Sequence, residues 1–261
     1  MNPLIQSAHQ TALSLLHPTP AQREHGLALH RASLVIDAYG FAPHAAVDQE
    51  ILIAAAQEGA AAYEIEQLSS EMSMLGMVND AAQKHAFTEA FETAGVTCIF
   101  QNAGEENNDI ETLLRRLGRF TYATDRMPDV LRRGATPDDI VAARQEGKRC
   151  LYLSTNGVPL PRQFRNVAEG INFIRTFFQL GVRMMHLTYN RRNLIGDGCG
   201  EANDGGLSDF GRSVVQEMNR VGVIVDVAHS GVQTGLDAAR CSSKPIVVSH
   251  AVCGALSDHC R

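Results

Sequence analysis

Six short runs, each nearly continuous in apolar residues and each followed by a helical pattern, constrain this chain more than any other feature. They are "ASLVIDAYG" (32–40), "AGVTCIFQN" (94–102), "KRCLYLSTN" (148–156), "GVRMMHLTYN" (181–190), "GVIVDVAHS" (222–230) and "KPIVVSHA" (244–251). Strands covered on both faces read this way, because neither face needs a polar side chain. The intervening pieces "NVAEGINFIRTFFQLG" and "LSDFGRSVVQEMNRVG" carry apolar residues at helical spacing, and Gly181 and Gly222 stand where those helices should stop. The expected class is therefore α/β with a parallel sheet.

Residues 45–90 are rich in Ala, Glu and Met with little β signal, so helices are expected there, inserted between the first two strands, with the methionines as core filler. Thr136-Pro137-Asp138 predicts a helix start, with Thr as N-cap and Pro in the first helical position. No internal repeat, low-complexity tract or linker interrupts the chain, and residues 1–261 are expected to form a single domain. At 261 residues it can bury a large core, and its 44% hydrophobic and 20% charged content describes a folded chain. A net charge of -6 gives no basic footprint for nucleic acid. The first twenty residues lack a basic and apolar leader pattern, and no apolar run is long enough to span a bilayer, so a cytoplasmic location is expected. Six cysteines without CxxC spacing read as mostly free thiols.

In parallel α/β folds chemistry gathers at the carboxyl ends of strands. Those ends are Asp37 to Phe41, Gln101-Asn102, Ser154 to Asn156, Thr188 to Asn190, Asp226 to His229, and Ser249-His250. A lone strand-end histidine is ordinarily a hydrogen-bonded core or loop residue. Two on consecutive strands, His229 and His250, can converge on one metal ion. Asp226 and His186 each stand three residues from a strand-end residue, which by strand alternation turns Asp226 away from His229 and His186 to the face opposite Tyr189. His44 is expected to be a solvated loop residue. "GDGCGEANDGG" (196–206) lacks the lysine and hydroxyl of a phosphate loop and reads as a turn-rich acidic lid, with Asp197, Glu201 and Asp204 as weak candidates for a substrate amine.

With these residues assembled, the chain resembles the renal or membrane dipeptidase family, peptidase family M19, from about residue 30 onward. The resemblance is strongest in the "LTYN", "GDG", "GLSxFG" and "MNRxG" elements of residues 186–231, which look like the bacterial branch, and in "VVSHA" followed eleven residues after its histidine by Arg261. It implies a TIM-type (β/α)8 barrel, apparently without its last two strands in this chain, and a metal-dependent dipeptidase acting on a small peptide or amide. His229 and His250 match the histidines that hold the family's second metal ion. Arg261 matches an arginine that binds the substrate carboxylate, and Tyr189 stands where some members have a histidine. The first strand departs from the family's D-x-H-x-D pattern, with Tyr39 and Phe41 in place of two ligands, and Asn156 replaces the bridging glutamate of an E-G step. The implied cofactor is one divalent metal ion, zinc, rather than two, with Tyr39, Asn156, Tyr189 and Arg261 lining the substrate site. An open barrel edge implies a homo-oligomer or a partner segment that covers it. The rival expectation is a catalytically silent member that keeps the pocket for binding or assembly.

Overall fold

A computed structural model describes residues 2–104, 110–257 and 259. The chain divides into two compact units, one built from Met1–Asp37, Phe41–Ile99 and Arg119–Leu151, the other from Ala38–Gly40, Phe100–Gly118 and Tyr152–Arg261. Among the described residues six strands are formed: β1 (Ile36–Gly40), β2 (Cys98–Gly104), β3 (Leu131–Gly134), β4 (Arg149–Thr155), β5 (Met184–His186) and β6 (Ile224–Asp226). Their order is β1-β2-β4-β5-β6, with β3 beside β4.

The first unit holds five helices ahead of β2 in the chain: α1 (Pro3–Leu16), α2 (Pro20–Ala32), α3 (Gln49–Gln57), α4 (Ala62–Asn79) and α5 (Ala81–Ala94). The last three occupy the Ala- and Met-rich stretch. Met74, Leu75 and Met77 of α4 and Phe87 and Phe91 of α5 are buried, so those methionines do fill core. Neither α1 nor α2 has a buried residue, and no apolar periodicity announced them. Strand pairing in this unit runs through Thr97 N–H to the Val35 carbonyl, Cys150 N–H to the Thr97 carbonyl and Arg149 N–H to the Val130 carbonyl, each at 2.8 Å. Helix α6 (Ile110–Arg126) follows β2 in the chain, and helix α7 (Pro137–Gln145) starts where expected, with Thr136 as N-cap and its backbone N–H donating to Asp139 at 2.9 Å.

In the second unit β4, β5 and β6 pair in parallel, with Thr155 opposite Met185 and His186 opposite Asp226. Helices α8 (Val167–Gln179) and α9 (Asp209–Val221) pack against each other, and Ile174 and Phe177 of α8 and Val214, Val215 and Met218 of α9 are buried. Gly222 caps α9 in the left-handed region at φ 99°, which a side chain rarely adopts, and Gly181 follows α8 at φ 107°. Helix α10 (Val232–Cys241) follows β6 after residues 227–231, which include His229. Residues 244–251 do not form the expected sixth strand. They meet β6 through one bridge, Val247 to Asp226, with Val227 N–H to the Val247 carbonyl and Val247 N–H to the Val225 carbonyl, each 2.9 Å. The strand that replaces this run in the count, β3, is four residues long and half arginine.

Candidate metal and substrate site

The polar ends of the second unit's strands meet in one cluster. His229 and His250 face each other with their Nε2 atoms 2.9 Å apart. Each ring is held from its other side. His229 Nδ1 donates to Asn190 Oδ1 at 2.8 Å, which leaves its Nε2 with a lone pair, and His250 Nδ1 lies 2.9 Å from the Ser249 hydroxyl. Tyr189 stacks on His229 at 4.1 Å between ring centroids, and Tyr39 stacks on His250 at 4.2 Å. Four of the five described candidate residues thus form a ring sandwich. The fifth, Asn156, joins it by accepting the Tyr39 hydroxyl proton through Oδ1. Arg261 lies outside the described residues.

Asp226 explains how the end of β6 and the separate segment before His250 bring their histidines together. Its Oδ1 accepts from Ala228 N–H at 2.9 Å and from Ser249 N–H at 3.2 Å, so one oxygen ties the residue before His229 to the residue before His250. Its Oδ2 lies 2.7 Å from His186 Nε2, and both side chains are fully buried. Burial alone would raise the Asp226 pKa; the His186 contact and its charge, with Ser249 and the Ala228 N–H, outweigh it and hold the carboxyl below its ordinary 3.8.

His186 corrects an expectation. Alternation placed it on the opposite face from Tyr189, yet its ring centroid lies 5.0 Å from that of Tyr39, 5.4 Å from His250 and 5.8 Å from His229. The strand ends at His186, and the chain then turns, with Asn190 at φ 58°, so a period of two no longer applies at Tyr189. The acidic loop is corrected too. Asp197 is buried, takes Nε and Nη2 of Arg192, and accepts Gly205 N–H; Asp204 accepts Gln233 N–H, and Glu201 accepts Arg192 N–H. These carboxylates hold the loop to its own neighbours instead of lining a solvated lid. His44 pairs with the Ser73 hydroxyl at 3.0 Å in the first unit, and Phe41 is exposed.

Among the described residues, no group of three or more His, Cys, Asp or Glu side chains is arranged to hold a metal ion. The donor set present suits one ion in a two-histidine cradle. Two neutral imidazoles, each oriented through Nδ1 by a neighbouring polar group, are the usual form of a metal-binding pair. An ion at about 2.0–2.1 Å from each, in tetrahedral geometry, needs the nitrogens only about 0.4 Å further apart. Tyr39 and Asn156, at positions where the family resemblance expects ligands, are neutral and bonded to each other, and they offset no cationic charge. Burial, the largest cause, raises the Tyr39 pKa to about 12, against the lowering effect of the Asn156 hydrogen bond, so its hydroxyl remains a donor.

Asn190, Ser249 and His186 were on the strand ends or near them, yet sequence assigned no role in the site to any of the three; Asp226, which alternation leaves as a structural carboxylate, acts as one. The signal was adjacency: Asn190 follows Tyr189, and Ser249 precedes His250.

Fold and cluster together define an α/β chain whose parallel sheet is half of a TIM-type barrel, with its polar groups at the carboxyl ends of the strands. The chain belongs to the membrane dipeptidase family (Peptidase family M19), whose model matches residues 24–261. It is similar to the dipeptidase verJ of Clonostachys rogersoniana, 30% identical over 139 residues, which are 52% of this chain and 34% of that protein. It is 33% identical over 126 residues to the dipeptidase tcpJ of Claviceps purpurea, with 48% and 28% of the two chains covered. These matched stretches thus span about a third of the curated relatives' length. Among solved structures, an amidohydrolase from Pseudomonas aeruginosa superposes with a TM-score of 0.64 at 24% identity, over 90% of this chain and 57% of its own. A metallo peptidase from Rhodobacter sphaeroides, liganded with a phosphinate mimic of the dipeptide L-Ala-D-Ala, gives 0.56 at 17% identity, over 70% and 64%. Both likenesses concern the fold.

Proposed function

We propose that the chain carries the active site of a metal-assisted dipeptidase that cleaves a dipeptide or similar small amide, with His229 and His250 holding one divalent ion, zinc. The observation that supports this most is the Nε2 pair at 2.9 Å, oriented by Asn190 and Ser249. An ion bound there supplies polarisation of the amide carbonyl and an activated water. The protein's own groups do the rest. Asn190 and Ser249 fix the imidazole rings. Tyr39 stays protonated and, with Asn156, presents a neutral hydrogen-bonding wall to the substrate. Tyr189 stacks against His229, and Arg261 is proposed to take the substrate carboxylate, a role suited to its planar fork.

The loss of the first ion's ligands distinguishes this chain within its family, and the "LTYN" and "GLSxFG" elements support a place in the bacterial branch. One barrel domain, a cytoplasmic location, and a second copy or partner segment along β1 complete the proposal. β1 ends the sheet order with Ile36, Asp37 and Ala38 exposed. No helix among the described residues is long and apolar enough to cross a membrane.

The Tyr39–Asn156 bond favours a second reading, a member that binds dipeptides without cleaving them. Metal analysis of purified protein with a dipeptide panel separates the two. The hydrolytic reading expects one equivalent of zinc, lost in His229→Ala and in His250→Ala, together with turnover. No bound divalent metal and no hydrolysis with added zinc, cobalt or manganese would overturn it.

A further inference from the structure

Beside the histidine pair lies a cleft of about 250 Å³ whose walls include Asn156 and Tyr189, and whose remaining lining includes Arg191 and Arg192 together with apolar side chains such as Val158 and Leu194. No Asp or Glu lines it, in a chain with a net charge of -6. Its volume is below the roughly 300–1,000 Å³ of pockets that enclose a whole small ligand, and suits a single side chain.

The two arginines differ. Arg192 is neutralised by the buried Asp197, which takes both its Nε and its Nη2. Arg191 gives Nη1 to the Gly200 carbonyl at 2.8 Å and makes no ion pair with any described residue. Its Nε and Nη2 edge remains, the two-pronged edge that matches a carboxylate. The backbone beneath it is fixed from both sides. Arg191 N–H donates to the Tyr189 carbonyl at 2.6 Å, Gly200 N–H donates to the Asn190 carbonyl at 2.8 Å, and Gly198 packs so closely that a Cβ there would lie 2.4 Å from Arg191 N. The backbone of Arg191 is therefore fixed and its guanidinium is anchored on the Gly200 carbonyl, while Val158 and Leu194 in the same lining offer an apolar surface for the methylene groups of an acidic side chain.

We infer that this cleft receives a side-chain carboxylate of the substrate, that Arg191 determines specificity, and that the substrate class is an acidic dipeptide. The inference rests on the dipeptide reading of the neighbouring site.

Isothermal titration of the purified protein with L-Ala-L-Asp and L-Asp-L-Ala, each against its Asn counterpart, tests it without requiring turnover. A charge-assisted two-pronged pair predicts that one of the acidic peptides binds roughly ten- to hundredfold more tightly than its amide. Arg191→Gln should erase that ratio, Arg191→Lys should keep part of it, and both variants should melt cooperatively because residue 191 is exposed. C-terminal amidation of the preferred peptide should leave the ratio intact. Equal binding of acid and amide, a ratio that survives Arg191→Gln, or a ratio lost on C-terminal amidation overturns the inference. Binding of L-Ala-L-Ala with no acid preference leaves the dipeptide reading standing and removes this one. Absence of binding by every peptide removes both.

Discussion

Replacing Asp226 should separate the roles of its two oxygens. Oδ1 holds the N–H groups of Ala228 and Ser249, and Oδ2 faces His186, all in a buried setting. Asp226→Ala leaves two backbone donors without an acceptor, at about 1–3 kcal/mol each, and deprives a buried imidazole of its carboxylate. The expected loss is about 3–5 kcal/mol of unfolding free energy. Asp226→Asn keeps an oxygen in the Oδ1 position and nearly the same shape, so its cost should be about 1–2 kcal/mol. Urea unfolding followed by far-ultraviolet circular dichroism at pH 7 measures both. Because Oδ1 joins the segments that end in His229 and His250, Asp226→Ala should also weaken zinc binding by about 10–100-fold, as loss of an orienting group does elsewhere. The pH dependence has a defined sign. A carboxyl held below 3.8 in the folded chain binds its proton less readily there than when unfolded, so its stabilisation is present above pH 3.8 and disappears as pH falls through the lower folded value. Asp226→Asn should remove that part of the acid transition. An Asp226→Ala variant within about 1 kcal/mol of wild type, or an Asn variant as unstable as the Ala one, would refute the assignment of the backbone ties as the main contribution.

Three further outcomes follow from the same geometry. Asn190→Ala removes the acceptor that orients His229 Nδ1, and chelator competition should show zinc affinity lower by about 10–100-fold, with Asn190→Asp recovering most of it. In Gly198→Ala the new Cβ would lie 2.2 Å from the Asn190 carbonyl carbon and 2.4 Å from Arg191 N, backbone atoms that cannot rotate away, so urea unfolding should register a loss of about 1–3 kcal/mol. For Tyr39, burial sets the folded pKa at about 12 against an ordinary 10.0; the neutral phenol's contribution is complete below pH 10 and lost as pH rises toward 12. Tyr39→Phe should abolish that alkaline loss, and absorbance titration should show one fewer late-ionising tyrosine.

Much of this was legible in the chain because strands buried on both faces leave apolar runs, and the polar residue that ends each run marks the opening. His229 and His250 stood out for that reason. β3 did not, because a four-residue strand containing Arg132 and Arg133 has no apolar pattern to detect; only Leu131 and Gly134 of it are buried. Residues 244–251 have the composition of a strand, but a strand needs a ladder, and only Val247 makes one bridge. His186 was lost to a counting rule that assumes an extended chain as far as Tyr189. The acidic loop misled because composition reports charge, whereas burial depends on partners, and Arg192, Gly205 and Gln233 are partners that no local pattern connects to Asp197 and Asp204.

That loop also fixes the backbone of the histidine site. Among the described residues, His229 at φ 66° and Asn190 at φ 58° are, besides His17, the non-glycine residues in the left-handed region, a conformation that side chains adopt at a cost and that surrounding structure has to enforce. The enforcement comes from two consecutive residues of the loop. Cys199 N–H donates to the His229 carbonyl at 2.9 Å, and Gly200 N–H donates to the Asn190 carbonyl at 2.8 Å. The two strained residues are then joined to each other by the Nδ1–Oδ1 bond. A single turn of chain therefore holds both the imidazole and the amide that orients it, while Asp197 and Asp204 fix that turn to the start of α10 through Gly231 N–H to the Asp197 carbonyl and Gln233 N–H to Asp204. A stretch whose composition resembles a solvated lid is, in its hydrogen bonding, the clamp that aims His229 at His250.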